Sequence, residues 1–143
     1  MNRAQKMAWM FLITTSLALV LSGAAVAVLY FIVGMPKALA GLGFTGIAGI
    51  GGLGPLIFRK ERSKVDFDER DGAIQAKAAM AGFVTAFLLV GLMCMLPFFI
   101  LGPDGVIQVK WLAFIFMVAG ISHYLVWSLV TLAQYGWRDK ENE

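Results

Sequence analysis

Charges fall along this chain in clusters, and four long intervals carry none: residues 7–36, 38–58, 78–103 and 111–137. Each is longer than the run of about 18–20 apolar residues that crosses a hydrocarbon core roughly 30 Å thick. The pattern predicts four transmembrane helices over about 7–33, 38–58, 73–101 and 107–136, with a charged connection over about 59–72. The other two connections are short and rich in breakers, Pro36-Lys37 and Leu101-Gly102-Pro103-Asp104-Gly105. Short connections make consecutive spans antiparallel neighbours. The expected fold is therefore all-α: a polytopic membrane protein, an up-down bundle of four transmembrane helices in a single domain over 1–143. The opening Asn2-Arg3-Ala4-Gln5-Lys6, the apolar stretch after it and Ala25-Val26-Ala27 imitate a secretory signal. The apolar run continues through Val33, well past a signal core of about 7–15 residues, which favours an uncleaved first helix.

Composition agrees with this pattern. Hydrophobic residues make up 59% and charged residues 15% of the 143 positions, against about 45–50% and about 25% in soluble domains. That supply cannot clothe a soluble domain of this size. The net charge of +3 is no sign of nucleic-acid binding, because the basic residues flank the spans. Arg3 and Lys6 precede the first, Arg59, Lys60, Arg62, Lys64 and Arg70 lie in the middle connection, and Arg138 and Lys140 follow the last. Only Lys37 and Lys110 occupy the remaining connections. The positive-inside rule then predicts both termini and the 59–72 connection on the cytoplasmic side. Trp9, Tyr135 and Trp137 at one set of ends, and Tyr30 and Trp111 at the other, fit interfacial belts. Cys94 is the single cysteine, so no intramolecular disulfide can form.

The second span holds seven glycines: Gly41, Gly43, Gly46, Gly49, Gly51, Gly52 and Gly54. At 100° per residue, Gly41, Thr45, Ala48, Gly49 and Gly52 share one face. Lipid tails are as apolar as Leu, so helices associate in bilayers by close packing, and this face reads as a packing seam within the bundle or a homo-oligomer. A broken helix of the kind transporters use is the other reading, with the break at Gly51-Gly52-Leu53-Gly54-Pro55. In the third span, Pro97 lacks an N–H and clashes with the carbonyl of Met93, predicting a kink or an early end. Met93-Cys94-Met95 has soft copper(I) ligands, but adjacent helical residues diverge, so packing is the better reading.

The connection is ordered as well as charged. Arg59, Lys60, Arg62 and Lys64 outweigh Glu61 to give +3, and Asp66, Asp68, Glu69 and Asp71 outweigh Arg70 to give −3. The basic half follows one helix C-terminus and the acidic half opens the next, each complementing the helix dipole. Asp66 and Glu69 have capping-box spacing, Asp68 is a second N-cap candidate, and Asp66 and Arg70 are four apart. An EF-hand starting at Asp66 would need Gly at Asp71 and Glu at Lys77, so that metal template fails. A partner-docking surface formed by Asp66, Asp68, Glu69, Arg70 and Asp71 is the stronger functional reading.

Asp68-Glu69-Arg70-Asp71, followed by Ile74 and by Lys77-Ala78 at the start of a span, resembles a family of small prokaryotic membrane proteins. These are four-span bundles with a D-E-R-(D/E)-x-x-I motif in the cytoplasmic connection, a domain of unknown function. The resemblance covers the motif and the hydropathy layout, about half the chain. It implies a prokaryotic cytoplasmic (inner) membrane location. Some members accompany small helix-turn-helix regulators, which implies a regulatory partner.

His123 is the single histidine and sits near the middle of the last uncharged interval. An ionisable residue at that depth is a functional candidate by default, while neutral histidine also serves as a hydrogen-bonded packing residue. Trp127 and Thr131 follow at four-residue steps on the same face. No span contains a carboxylate, unlike the small four-helix multidrug exporters with their membrane-embedded glutamate. No nucleophile triad, phosphate loop or zinc spacing is present, so no enzyme, cofactor or metal is expected. Two functions stand out. One is a non-enzymatic membrane protein that docks a membrane or cytoplasmic protein through its charged connection. The alternative is a small oligomeric transporter or channel using the Gly-rich second span and His123.

Overall fold

The protein is described here by a computed structural model covering residues 3–35, 37–58 and 69–139, with the side chains of 137–139 excepted. Four helices are long and apolar enough to cross a membrane, and the described residues contain no strand. They are α1 (Arg3–Val33), a second span made of a 3-10 helix (Lys37–Leu53) and one α-turn, α2 (Gly54–Ile57), then α3 (Glu69–Leu101) and α4 (Lys110–Asp139). The chain is all-helical and consistent with a multi-pass membrane protein.

Two spans end by the same device. Gly34 and Gly102 follow the last residues of α1 and α3 with φ of 69° and 78°, the left-handed conformation that glycine adopts without a Cβ penalty. Their amides donate back to Tyr30 O at 3.1 Å and Phe98 O at 3.0 Å, satisfying carbonyls that the helix end would orphan. Pro97 does not end α3, which continues through it to Leu101.

The helices form a row in which the second span packs on α1, α1 also packs on α4, and α4 packs on α3. Consecutive spans are thus neighbours twice, not three times, because α3 and the second span share no comparable interface among the described residues. Small residues explain who meets whom. Ala4, Ala8, Thr15, Ala18 and Ser22 are the buried residues of α1, while Phe31, Phe87 and Phe116 remain 85%, 68% and 81% exposed. Between helices in lipid the large apolar side chains gain nothing by leaving the bilayer, so the helix pairs close where the side chains are smallest.

The second span departs from the expected α-helix. Seventeen residues wind as a 3-10 helix, although runs of this kind longer than 3–4 residues are uncommon because side chains three apart eclipse. Here two of the three eclipsed columns carry small residues through the second half of the run, while the third stacks Phe44, Ile47, Ile50 and Leu53. Of the two, one is Ala40, Gly43, Gly46, Gly49 and Gly52, and the other is Thr45, Ala48, Gly51 and Gly54. The winding also lengthens the run, to about 34 Å rather than about 26 Å as an α-helix. This lets the shortest span keep pace with the 31 residues of α1.

That winding decides which small residues are buried within a single chain. Gly41 and Ala48 are buried and Thr45 half-buried, as a 100° repeat places them, but Gly49 and Gly52 are exposed. Gly51 and Gly54 are buried in their place. A methyl on Gly41 would lie 2.6 Å from Val26 N, against the backbone of α1. One on Gly51 would lie 2.5 Å from the Phe11 ring, and one on Gly54 3.2 Å from Met10 Cε. With nearer three residues per turn, the inward face drifts away from its α-helical course over the second half of the run.

Candidate functional site

Two inter-helix polar contacts lie where the start of α1, the end of the second span, the start of α3 and the end of α4 meet, and a third lies along the second span, where Thr45 Oγ1 reaches Met117 Sδ of α4 at 3.7 Å. Arg3 Nε donates to Phe58 O at 2.7 Å, and Arg3 Nη2 reaches Pro55 O at 3.5 Å. The first residue of α1 thereby caps the carbonyl end of the second span, where a cation also complements the helix dipole.

Across the row, Tyr135 OH donates to Asp71 Oδ1 at 2.6 Å, tying the end of α4 to the first turn of α3. Tyr135 was expected in an interfacial belt. It is instead buried, clustered with Ala4 and Ile74. A buried phenol needs a hydrogen-bond partner, and the Asp71 carboxylate supplies a charge-assisted one. Trp9, Tyr30 and Trp111 are exposed, as belt residues would be.

These contacts divide the acidic motif. Asp71 and Ile74 turn toward α4 and lock α3 in place, whereas Glu69 and Arg70 are exposed at the head of the helix. Glu69 and Asp71 both lie in the first turn of α3, where acidic side chains complement the helix dipole. Asp66 and Asp68, with their capping and docking roles, lie outside the described residues.

The α4 stripe is shared between neighbours, His123 meeting Gly82 of α3 and Trp127 meeting Phe11 of α1. Thr131 is fully buried, and His123 and Trp127 are half-buried. His123 packs on Gly82, where an added methyl would fall 2.8 Å from His123 O and 3.0 Å from its Nδ1. The glycine is what lets α3 approach so closely. From the Asp71–Tyr135 pair, four residues along α3 and four back along α4 lead to Gln75 and Thr131, one turn deeper in the antiparallel seam. Gln75 Nε2 and Thr131 Oγ1 are both buried without a hydrogen-bond partner, as are Thr15 Oγ1 and Ser22 Oγ on α1. By contrast, Thr14, Thr85 and Ser128 donate to carbonyls of their own helices at 2.7–2.9 Å.

Sequence reasoning missed Phe11. Its ring stacks on Tyr124 at 5.0 Å and meets Trp127 edge-on at 5.2 Å, while its other contact is Gly51 of the second span. His123 in turn lies edge-on to Tyr124 at 5.3 Å. One phenylalanine thus connects the Gly-rich span to the α4 stripe, and only its position opposite a glycine three residues before Gly54 could have signalled this. At the far end, a groove of about 570 Å³ between α3 and α4 is lined by Met93, Pro97, Trp111 and Ile115 among others. Met93 faces this groove while Cys94 and Met95 are exposed, so the three sulfur side chains do not converge.

Comparison with protein-family models, curated proteins and solved structures yields no match.

Proposed function

We propose that this chain is a non-enzymatic multi-pass membrane protein that docks a partner through its charged connection. It belongs on this reading with the small prokaryotic membrane proteins that share the D-E-R-(D/E)-x-x-I motif, and the connection faces the cytoplasm in the inner membrane. The observation that carries the reading is the division of labour within the motif. Asp71 hydrogen-bonds Tyr135 and Ile74 is buried beside it, so the head of α3 is fixed, and Glu69 and Arg70 are held outward on that base. Exposed charges on a fixed helix head favour recognition because less backbone freedom is lost on binding.

The test is crosslinking in native membranes through Lys60 and Lys64, with wild type and the Glu69→Lys/Arg70→Glu variant compared. Capture of one protein in stoichiometric amount, lost in the variant while the fold persists, supports docking. Capture that ignores the charge reversal refutes it.

A second reading, the small oligomeric transporter or channel, draws support from the orphaned Thr131 and Gln75 on the His123 side of α4. Against it, the Gly-rich span packs on α1 while His123 packs on Gly82 of α3. The Gly-rich span also touches the helix that carries His123, where Thr45 Oγ1 reaches Met117 Sδ at 3.7 Å. Loss of substrate flux in His123→Leu proteoliposomes is the result this reading requires.

A further inference from the structure

We propose that the second span is a two-state element, able to exchange its 3-10 winding for an α winding, and that bilayer thickness sets the balance. The proposal does not depend on whether a partner docks. It starts from glycines that the observed packing leaves unused. Gly51 and Gly54 sit against α1, where larger residues would collide. Gly49 and Gly52 face open space, with nothing within 4 Å of an added methyl. Rewound at 100° per residue, the same segment turns Gly49 and Gly52 toward α1 and releases Gly51 and Gly54. Ala38, Gly41 and Ala48 are buried and Thr45 half-buried in the observed winding, Gly41 against α1 and Thr45 also reaching Met117 of α4, and at 100° per residue the four still share one face. The sequence thus presents two small-residue faces to the same neighbour, sharing the first half and diverging in the second.

The surroundings permit the exchange at one end and resist it at the other. Near Lys37, Gly41 lies directly against the backbone of α1 at Ala25 and Val26, which cannot yield. Near Ile57, the opposing groups are the side chains of Phe11, Met10 and Met7. Methionine in particular refills irregular space readily. Full conversion of the 3-10 run shortens it by about 8 Å, since the rise falls from about 2.0 to about 1.5 Å per residue. Anchored at Gly41, the span would draw in its Phe58 end, break the Arg3–Phe58 bond and pull on the charged connection. A span longer or shorter than the surrounding hydrocarbon carries a mismatch cost. Thick bilayers should therefore favour the long 3-10 form and thin ones the short α form.

Pulsed dipolar EPR on the full chain measures this directly. Spin labels at Lys37→Cys and Leu56→Cys, in a Cys94→Ser background, are compared in bilayers of short-, medium- and long-chain phosphatidylcholine. The expected result is two distances separated by about 8 Å, with the shorter gaining population as the bilayer thins. Gly51→Ala, which collides with Phe11 only in the 3-10 form, should raise the short population in every bilayer. Gly52→Ala, which meets α1 only in the α form, should lower it. Should Gly51→Ala not fold, the wild-type lipid series and Gly52→Ala carry the test alone. One distance, long or short, that ignores both lipid and variant overturns the proposal. So does a shift in the same direction by both variants.

Discussion

Removing a single oxygen tests how the charged end is held. Tyr135→Phe deletes the 2.6 Å bond to Asp71 and leaves the ring among Ala4 and Ile74. Hydrogen bonds to charged groups are worth about 1.5–3 kcal/mol in soluble proteins. Two features lower that figure here. Asp71 is only half-buried, so water can replace part of what the phenol gave. Polar pairs between membrane helices average about 0.6 kcal/mol, with a maximum near 1.7. The expected loss is about 1 kcal/mol, roughly fivefold in the folding equilibrium. Reversible unfolding in bicelles, run as a double-mutant cycle with Asp71→Asn, isolates the pair from each residue's other interactions. The double variant should lose no more than the worse single variant, giving a coupling near 1 kcal/mol. Additivity within about 0.3–0.5 kcal/mol, the behaviour of independent sites, would refute the clamp.

Three further outcomes follow from the packing. Gly41→Ala should destabilise by about 1–3 kcal/mol, the usual cost of overpacking, because its methyl meets the α1 backbone at 2.6 Å, whereas Gly43→Ala meets nothing within 4 Å and should be neutral or stabilising; parallel unfolding curves compare them. Thr131→Val keeps the shape and removes a buried hydroxyl that has no partner, so it should stabilise by about 1–2 kcal/mol, and a loss of stability would show that the hydroxyl holds something. Phe11→Ala removes the half-buried ring shared by Gly51, Tyr124 and Trp127 and should destabilise by less than the about 3–5 kcal/mol of a fully buried aromatic in a soluble core, because lipid receives apolar surface as well as a core does; an unfolding midpoint registers the loss.

The four spans were legible because charge in this chain is confined to the helix ends, and uncharged runs of 21 to 30 residues admit few readings. The winding of the second span was not read, although its period of three is written in Ala40, Gly43, Gly46, Gly49 and Gly52 beside Phe44, Ile47, Ile50 and Leu53. Faces judged at 100° per residue agree with the burial of Gly41, Thr45 and Ala48, while in this winding Gly49 and Gly52 turn outward, because the difference in angle accumulates along the run. The row-like order of helices was hidden for another reason. The small face of α1 that sets it, Ala4 to Ser22, lies within an apolar run whose larger residues draw the eye but face outward. Asp71 was legible as a helix-end acid; its bond to Tyr135 spans 64 residues, and an aromatic residue at a span's end has an interfacial reading that needs no partner. His123 is noticeable as the single histidine in a long uncharged run, but its contact with Gly82 could not be deduced without the register of α3 against α4.

The function proposed for this protein depends on whether the head of α3 meets a partner. A photo-crosslinking residue at Arg70, with the same residue at the lipid-exposed Met80 as control, puts the question to the protein in its own membrane. Docking predicts a single heterologous protein adduct at position 70, absent at position 80 and abolished by adding Glu69→Lys. Only lipid or self-adducts at both positions, unchanged by Glu69→Lys, would contradict it.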